Sequence, residues 1–260
     1  IPAIVLLFIP QVSNKIYNML DTTMLGKIIA DKAETGYYEQ SQKIIRVLLT
    51  LVTSLGTVMT PRIASVLSNN NKEKVEEYLA KSINFVFFLG IPLTLGVMSV
   101  AKTLVPWFLG EEFSLSVSIL MTGSLLIIAK GFTDVAGVQY LIPSRNQAIF
   151  TKSVVTGAIL NVVLNFILIP ICGAIGAIIA SVIAEVAIAI VQYYYVKKQI
   201  NIQIFTKAYL KYIVSGVLMF LTVYVMGIFM ETTIITTILQ ICVGGIIYIG
   251  SLLIMKDKFL

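Results

Sequence analysis

The 260-residue sequence contains no histidine, two cysteines and one tryptophan, and only 12% of its residues are charged. Without histidine there is no imidazole proton relay and no histidine metal ligand. Cys172 and Cys242 lie far apart in apolar surroundings, with neither metal-ligand spacing nor the pattern of a disulfide framework. No G-x-x-x-x-G-K-[ST] phosphate loop is present, so the usual route to ATP is missing. Soluble domains carry charge on about 25% of their residues; half that share excludes an ordinary water-soluble globule.

What is there is apolar. Hydrophobic residues make up 58% of the chain, its mean hydropathy is +0.94, and runs of about 20 apolar residues recur along the whole length. The fold class is all-α integral membrane. A transmembrane barrel would show short alternating segments instead. A net charge of +6 and a pI near 9.2 would suggest nucleic acid in a soluble protein. Here the cations fit the positive-inside rule, and no nucleic-acid partner is expected. The chain opens IPAIVLLFIP, without methionine or a signal-peptide n-region, and reads as a fragment or as the second part of a longer protein.

The pattern predicts about eight transmembrane helices: 2–29, 37–66, 79–101, 115–141, 149–171, 174–196, 209–229 and 233–255. Alternate connections carry twelve basic residues, from Arg62 to Lys258, against Lys27, Lys32 and Lys102 on the other side. That bias predicts both ends in the cytoplasm. SNNNKEKVEEYLAKS reads as a short cytoplasmic helix capped by Asn70 or Asn71. Gly90 and Pro92 predict a kink, and Trp107 and Phe108 an interfacial aromatic belt.

The first two spans carry polar groups where a membrane helix should have none. Gln11, Lys15, Asn18 and Thr22 follow helical spacing, with Asn14 and Asp21 beside them. In the second span Glu39, Gln42, Lys43, Arg46, Thr50, Thr53, Thr57 and Thr60 do the same. Charges at that depth cost several kcal/mol unless they face a wet or protein-lined interior, so the hairpin lines something. Two readings of its charges stand side by side: an anion path, or Asp21, Glu39, Lys43 and Arg46 neutralising one another. Lys130 and Asp134 stand at i, i+4 and can satisfy each other. Asn161 and Asn165 share a face. Gly173, Ala177, Ser181 and Gly176, Ala180, Ala184 form two small-residue rows for close helix approach. Glu185 reads as alone near mid-depth, either a proton site or a neutral hydrogen-bonder. Spans 7 and 8 offer no buried charge and read as peripheral.

LDTTMLG, GYYEQSQKI, GTVMTPRIAS, IPSRNQ, NVVLNFILIP and GAIGA, in that order, resemble the second half of the polysaccharide flippases, O-antigen and capsule-type translocases of the multidrug/oligosaccharidyl-lipid/polysaccharide exporter superfamily. The resemblance implies a six-helix bundle over 1–200, two additional helices over 201–260, and a preceding bundle related by a pseudo-two-fold axis. It implies a transporter rather than an enzyme, without cofactor or metal, that flips undecaprenyl-pyrophosphate-linked oligosaccharide on a proton or sodium gradient. The implied partners are that lipid-linked substrate, membrane lipids, the missing N-terminal half and polysaccharide assembly proteins. The substrate-binding candidates are Lys15, Asn18, Lys43, Arg46, Lys130 and Asn161; the ion-coupling candidates are Asp21 and Glu185. Alternatives are a drug or cation exporter of the same superfamily, for which this cavity is too basic, and a membrane-embedded polymerase or glycosyltransferase, which would present a large catalytic loop. A scaffold or non-transporting half-protein is a further class.

Overall fold

The computed structural model describes residues 19–29, 31–201 and 207–257. Helix α1 covers 19–28. It is followed by α2 (Lys32–Ser68), α3 (Lys72–Phe108), a 3-10 turn (Glu111–Phe113), α4 (Ser114–Gly123), α5 (Leu125–Thr133), a π-helical segment (Asp134–Leu141), α6 (Gln147–Gln199), α7 (Lys207–Phe229) and α8 (Ile234–Ile254). Among the described residues, six helical segments are long and apolar enough to cross a membrane. The chain is an all-α, multi-pass membrane protein, and the seven expected spans after the first all fall on these segments.

Two boundaries differ from expectation for physical reasons. The short cytoplasmic helix and the third span are one continuous helix, α3, capped by Asn71, whose side chain accepts the Lys74 N–H at 3.1 Å. At about 1.5 Å per residue its 37 residues run about 55 Å, so one end projects beyond a hydrocarbon core about 30 Å thick. The helix continues through Pro92 and Pro106. The fourth span, by contrast, is broken at Ser124. The hydroxyl of Thr94 on α3 donates to the Ser124 carbonyl at 3.1 Å, and Ser124 Oγ donates to Met121 O at 2.8 Å.

Helix α6 is two limbs rather than one rod. A straight 53-residue helix would be about 80 Å long. Gly173 leaves the helical region (φ 55, ψ −133) and the chain doubles back: Gln192 meets Ser153, and Asn161 meets Ser181. The small-residue rows make this possible. A Cβ on Gly176 would overlap the Leu168 carbonyl, and one on Gly157 would overlap Ile188.

Helix α3 is the central post, packed against α2, α4, α5, α7 and α8, while α7 and α8 lie against α3 and each other. The few polar groups of α8 turn inward to α3. Gln240 accepts from Thr103 Oγ1 at 2.5 Å and donates to Val223 O at 3.0 Å; Tyr248 donates to Phe88 O at 2.8 Å. Trp107, expected only in an aromatic belt, also donates its indole N–H to Thr237 at 2.8 Å and so pins α8.

Candidate functional site

Three polar features stand out in this apolar bundle. The first is a closed centre on Asp21, which is 2% exposed. Its carboxylate accepts from Tyr38 Oη at 2.8 Å, Ser181 Oγ at 2.5 Å and Asn165 Nδ2 at 2.6 Å. Asn165 also donates to Asn161 Oδ1 at 3.1 Å, and Gln42 donates to the Tyr38 hydroxyl at 3.0 Å. Three elements deliver these groups: α1, α2, and both limbs of α6 through the fold at Gly173. Neutral donors thus meet the buried carboxyl oxygens without a cation partner.

The second feature is an exposed stripe on α2. Glu39, Lys43, Arg46, Thr50, Ser54 and Thr57 are all exposed, whereas Tyr38, Ser41, Ile45, Val52, Gly56 and Met59 are buried. Arg46 lies about 21 Å along the helix from Lys32. Its Nε donates to Gln42 O at 3.2 Å; Lys43 Nζ reaches Gln40 Oε1 at 3.5 Å. The threonine hydroxyls donate back to their own helix, Thr50 to Arg46 O at 2.8 Å and Thr53 to Leu49 O at 3.1 Å.

The third feature is a cleft of about 300 Å³ between α2, α5, the π segment and both limbs of α6, lined in part by Thr53, Lys130, Asp134, Phe150, Glu185 and Gln192. Lys130 Nζ stands 3.7 Å from Glu185 Oε2, and Thr133 Oγ1 donates to Glu185 Oε1 at 2.6 Å. Gln139 Nε2 donates to Asp134 Oδ2 at 3.0 Å. The i→i+5 turn of the π segment brings positions 134 and 139 together, and the Ile142 N–H to Gly137 O bond marks it.

Set against the sequence candidates, the structure redistributes the charges. Lys15 and Asn18 lie outside the described residues. Glu185 is not alone: Lys130 reaches it from α5 and Thr133 bonds it, because the α6 fold brings the second limb beside α5. Asp134, expected to pair with Lys130, is held by Gln139. Asp21 does not meet Lys43 or Arg46. Those cations sit on the exposed side of α2 while Tyr38 faces inward, and Lys43 lies about 140° round the helix from Tyr38. Among the described residues the ion pairs are Lys81–Glu77, Lys130–Glu185 and Lys211–Asp257, so mutual neutralisation of Asp21, Glu39, Lys43 and Arg46 is not what holds the hairpin. Asn161, a substrate candidate, is fully buried in the Asp21 centre. Sequence reasoning missed Tyr38, Ser181, Gln139 and Gln192. Ser181 had a signal, its place in a small-residue row, but that signal reads as packing.

Residues 5–118 match the family model described as a polysaccharide biosynthesis protein. Across 200 residues the chain is 22% identical to a probable low-salt glycan biosynthesis flippase, Agl15, of Haloferax volcanii, covering 75% of this chain and 41% of that protein. It is 23% identical over 258 residues to the lipid II flippase MurJ of Bacillus subtilis, covering 90% and 47%. The chain thus spans less than half the length of these curated relatives. In fold it is similar to a lipid II flippase MurJ in an inward closed conformation (TM-score 0.83, 18% identity, 97% of this chain and 53% of that one). It is also similar to an outward-facing multidrug resistance transporter of the MATE family (TM-score 0.65, 18% identity, 95% and 63%). The family match, the flippase relatives and the shared fold point one way: the chain is similar to the polysaccharide flippases of the multidrug/oligosaccharidyl-lipid/polysaccharide exporter superfamily.

Proposed function

We propose that this chain is the second half of a transporter that flips a lipid-linked oligosaccharide, carried on undecaprenyl pyrophosphate, across the cell membrane. The observation that carries the reading is the exposure of Lys43 and Arg46 deep within α2, with no acidic partner for either among the described residues. Two cations kept open inside a span ask for an anion from outside the bundle. Arg46 offers a planar fork for phosphate oxygens and Lys43 a mobile point charge. A cationic face also disfavours the drug or cation cargo of the second reading. The face of α2 that carries them is where a preceding half would complete a central cavity, with membrane lipids and polysaccharide assembly proteins as further partners.

Asp21 is the coupling group in this reading, exchanging a proton or sodium ion, because it is the deeply buried carboxylate whose hydrogen-bonding partners are all neutral. Glu185, held by Lys130, suits that role less. The basic bias of alternate loops supports a cytoplasmic side for both ends of the chain.

The test is surface polysaccharide and membrane abundance in cells carrying the full-length protein. Arg46→Lys should impair export although charge is kept, and Arg46→Ala should do worse at normal abundance. If Arg46 is instead a structural partner of Glu39, Arg46→Ala should lower abundance and Glu39→Ala should restore it. That rescue would end the anion-binding reading.

A further inference from the structure

The cleft beside α2 has a composition that neither the phosphate stripe nor the Asp21 centre explains. Its volume of about 300 Å³ lies at the small end of ligand pockets and is about ten times one water's share of about 30 Å³, far more than a coordinated ion needs. Its walls are mixed. Phe150, Val154 and Ile188 supply an apolar side, while Asp134, Glu185 and Lys130 supply acceptors and a donor. An ammonium in the wall, with 22% of its side chain exposed, is a poor neighbour for a metal cation. The cleft also contains an unmet need. Gln192 is 0% exposed; its amide N–H₂ donates to Ser153 at 3.0 Å, yet its Oε1 is buried without a partner. Gln139, which holds the cleft residue Asp134 from outside the lining, has an equally unpaired Oε1. Each such oxygen has lost its hydrogen bonds to water with nothing in return unless a donor arrives from elsewhere.

We propose that this cleft binds a single pyranose ring of the cargo, its hydroxyls donating to Asp134 and Gln192, Lys130 donating to a hydroxyl or ring oxygen, and its C–H face lying on Phe150. A sugar ring matches the inventory: hydroxyl donors round its rim, which the surplus acceptors require, and an apolar face for the aromatic wall. The position fits as well. Thr53, in the cleft wall, follows Arg46 by seven residues on α2, about 10 Å along the axis, so a sugar attached to a phosphate held at Arg46 reaches the cleft. The proposal rests on the flippase reading only for the sugar being lipid-linked. It reassigns Lys130 and Glu185: Lys130 touches sugar rather than phosphate, and Glu185 positions Lys130.

The experiment uses the full-length protein in detergent, with native cysteines replaced by serine. Val138→Cys, at the 37% exposed mouth of the cleft, reports by its rate of maleimide labelling; Thr50→Cys reports on the α2 stripe. The probes are glucose, galactose and N-acetylglucosamine, inorganic pyrophosphate, and sodium chloride against choline chloride. At least one saccharide should slow labelling at position 138 by about tenfold when present at ten times its dissociation constant. Gln192→Met should abolish that protection. Thr53→Phe, which narrows the cleft from the α2 side, serves if Gln192→Met does not fold. Protection by sodium alone, or by no saccharide, overturns the sugar site. Pyrophosphate protection at position 50 without saccharide protection at 138 overturns this inference and leaves the flippase reading standing. Saccharide protection at 138 without a pyrophosphate effect at 50 upholds the cleft and removes the phosphate part of that reading.

Discussion

Glu34, in the first turn of α2, accepts the backbone N–H of Ala174 at 2.9 Å. That N–H opens the second limb of α6, where unsatisfied donors and the helix dipole favour a carboxylate. The neighbouring Gly173 holds φ at +55°, and a Cβ there would overlap the Glu34 carboxylate.

The first prediction concerns this latch. Gly173→Ala should destabilise the protein by about 1–3 kcal/mol from backbone strain alone, with more from displacing Glu34. Glu34→Gln keeps an acceptor and loses only charge, costing about 0.3–1 kcal/mol. Thermal unfolding of the detergent-solubilised full-length protein ranks the two; equal midpoints for Gly173→Ala and wild type would show that the fold at 173 does not need glycine.

Topology gives the second. Asn71 and Glu111 are both exposed and flank the two ends of α3. Single cysteines at these positions, in a background without Cys172 and Cys242, should label from opposite sides of the membrane, Asn71→Cys from the cytoplasm. Equal labelling of both by an impermeant reagent would remove α3 as a spanning helix.

The third turns on Asp21. An asparagine there keeps one accepting oxygen for Asn165 and presents an amide to hydroxyls of Tyr38 and Ser181 that rotate to accept it. Asp21→Asn should therefore reach normal membrane abundance while losing gradient-driven transport. Asp21→Ala strands three buried donors, about 1–3 kcal/mol each, and should lower abundance as well. Wild-type export by Asp21→Asn would take Asp21 out of the coupling step.

The fourth tests the Lys130–Glu185 pair. Lys130→Met leaves a carboxylate that is 5% exposed without its cation and should cost about 1–3 kcal/mol. Adding Glu185→Gln, which keeps the Thr133 bond, should recover most of that loss. Strictly additive unfolding free energies would mean that the two charges are not coupled.

Membrane residence, helical class and the spans after the first were legible in the sequence, because a bilayer leaves a chain few choices. Every backbone polar group must be satisfied within its own helix, so long apolar runs carry the answer locally. The polar stripe of α2 was legible for the same reason: Arg46, Thr50 and Thr57 share a face by the geometry of one helix. Partnership across helices was not. Asp21 meets Ser181 and Asn165, and Lys130 meets Glu185, only because α6 folds at Gly173 and sets the register of its two limbs. Gln139 reaches Asp134 only because the fourth span widens into a π turn. Helical periodicity says which side of its own helix a side chain occupies; the depth and rotation of each helix against its neighbours, which decide its partner, are set by packing at positions such as Gly56 against the Asp134 side chain, Gly157 against the Ile188 side chain and Gly176 against the Leu168 backbone, where a larger residue does not fit.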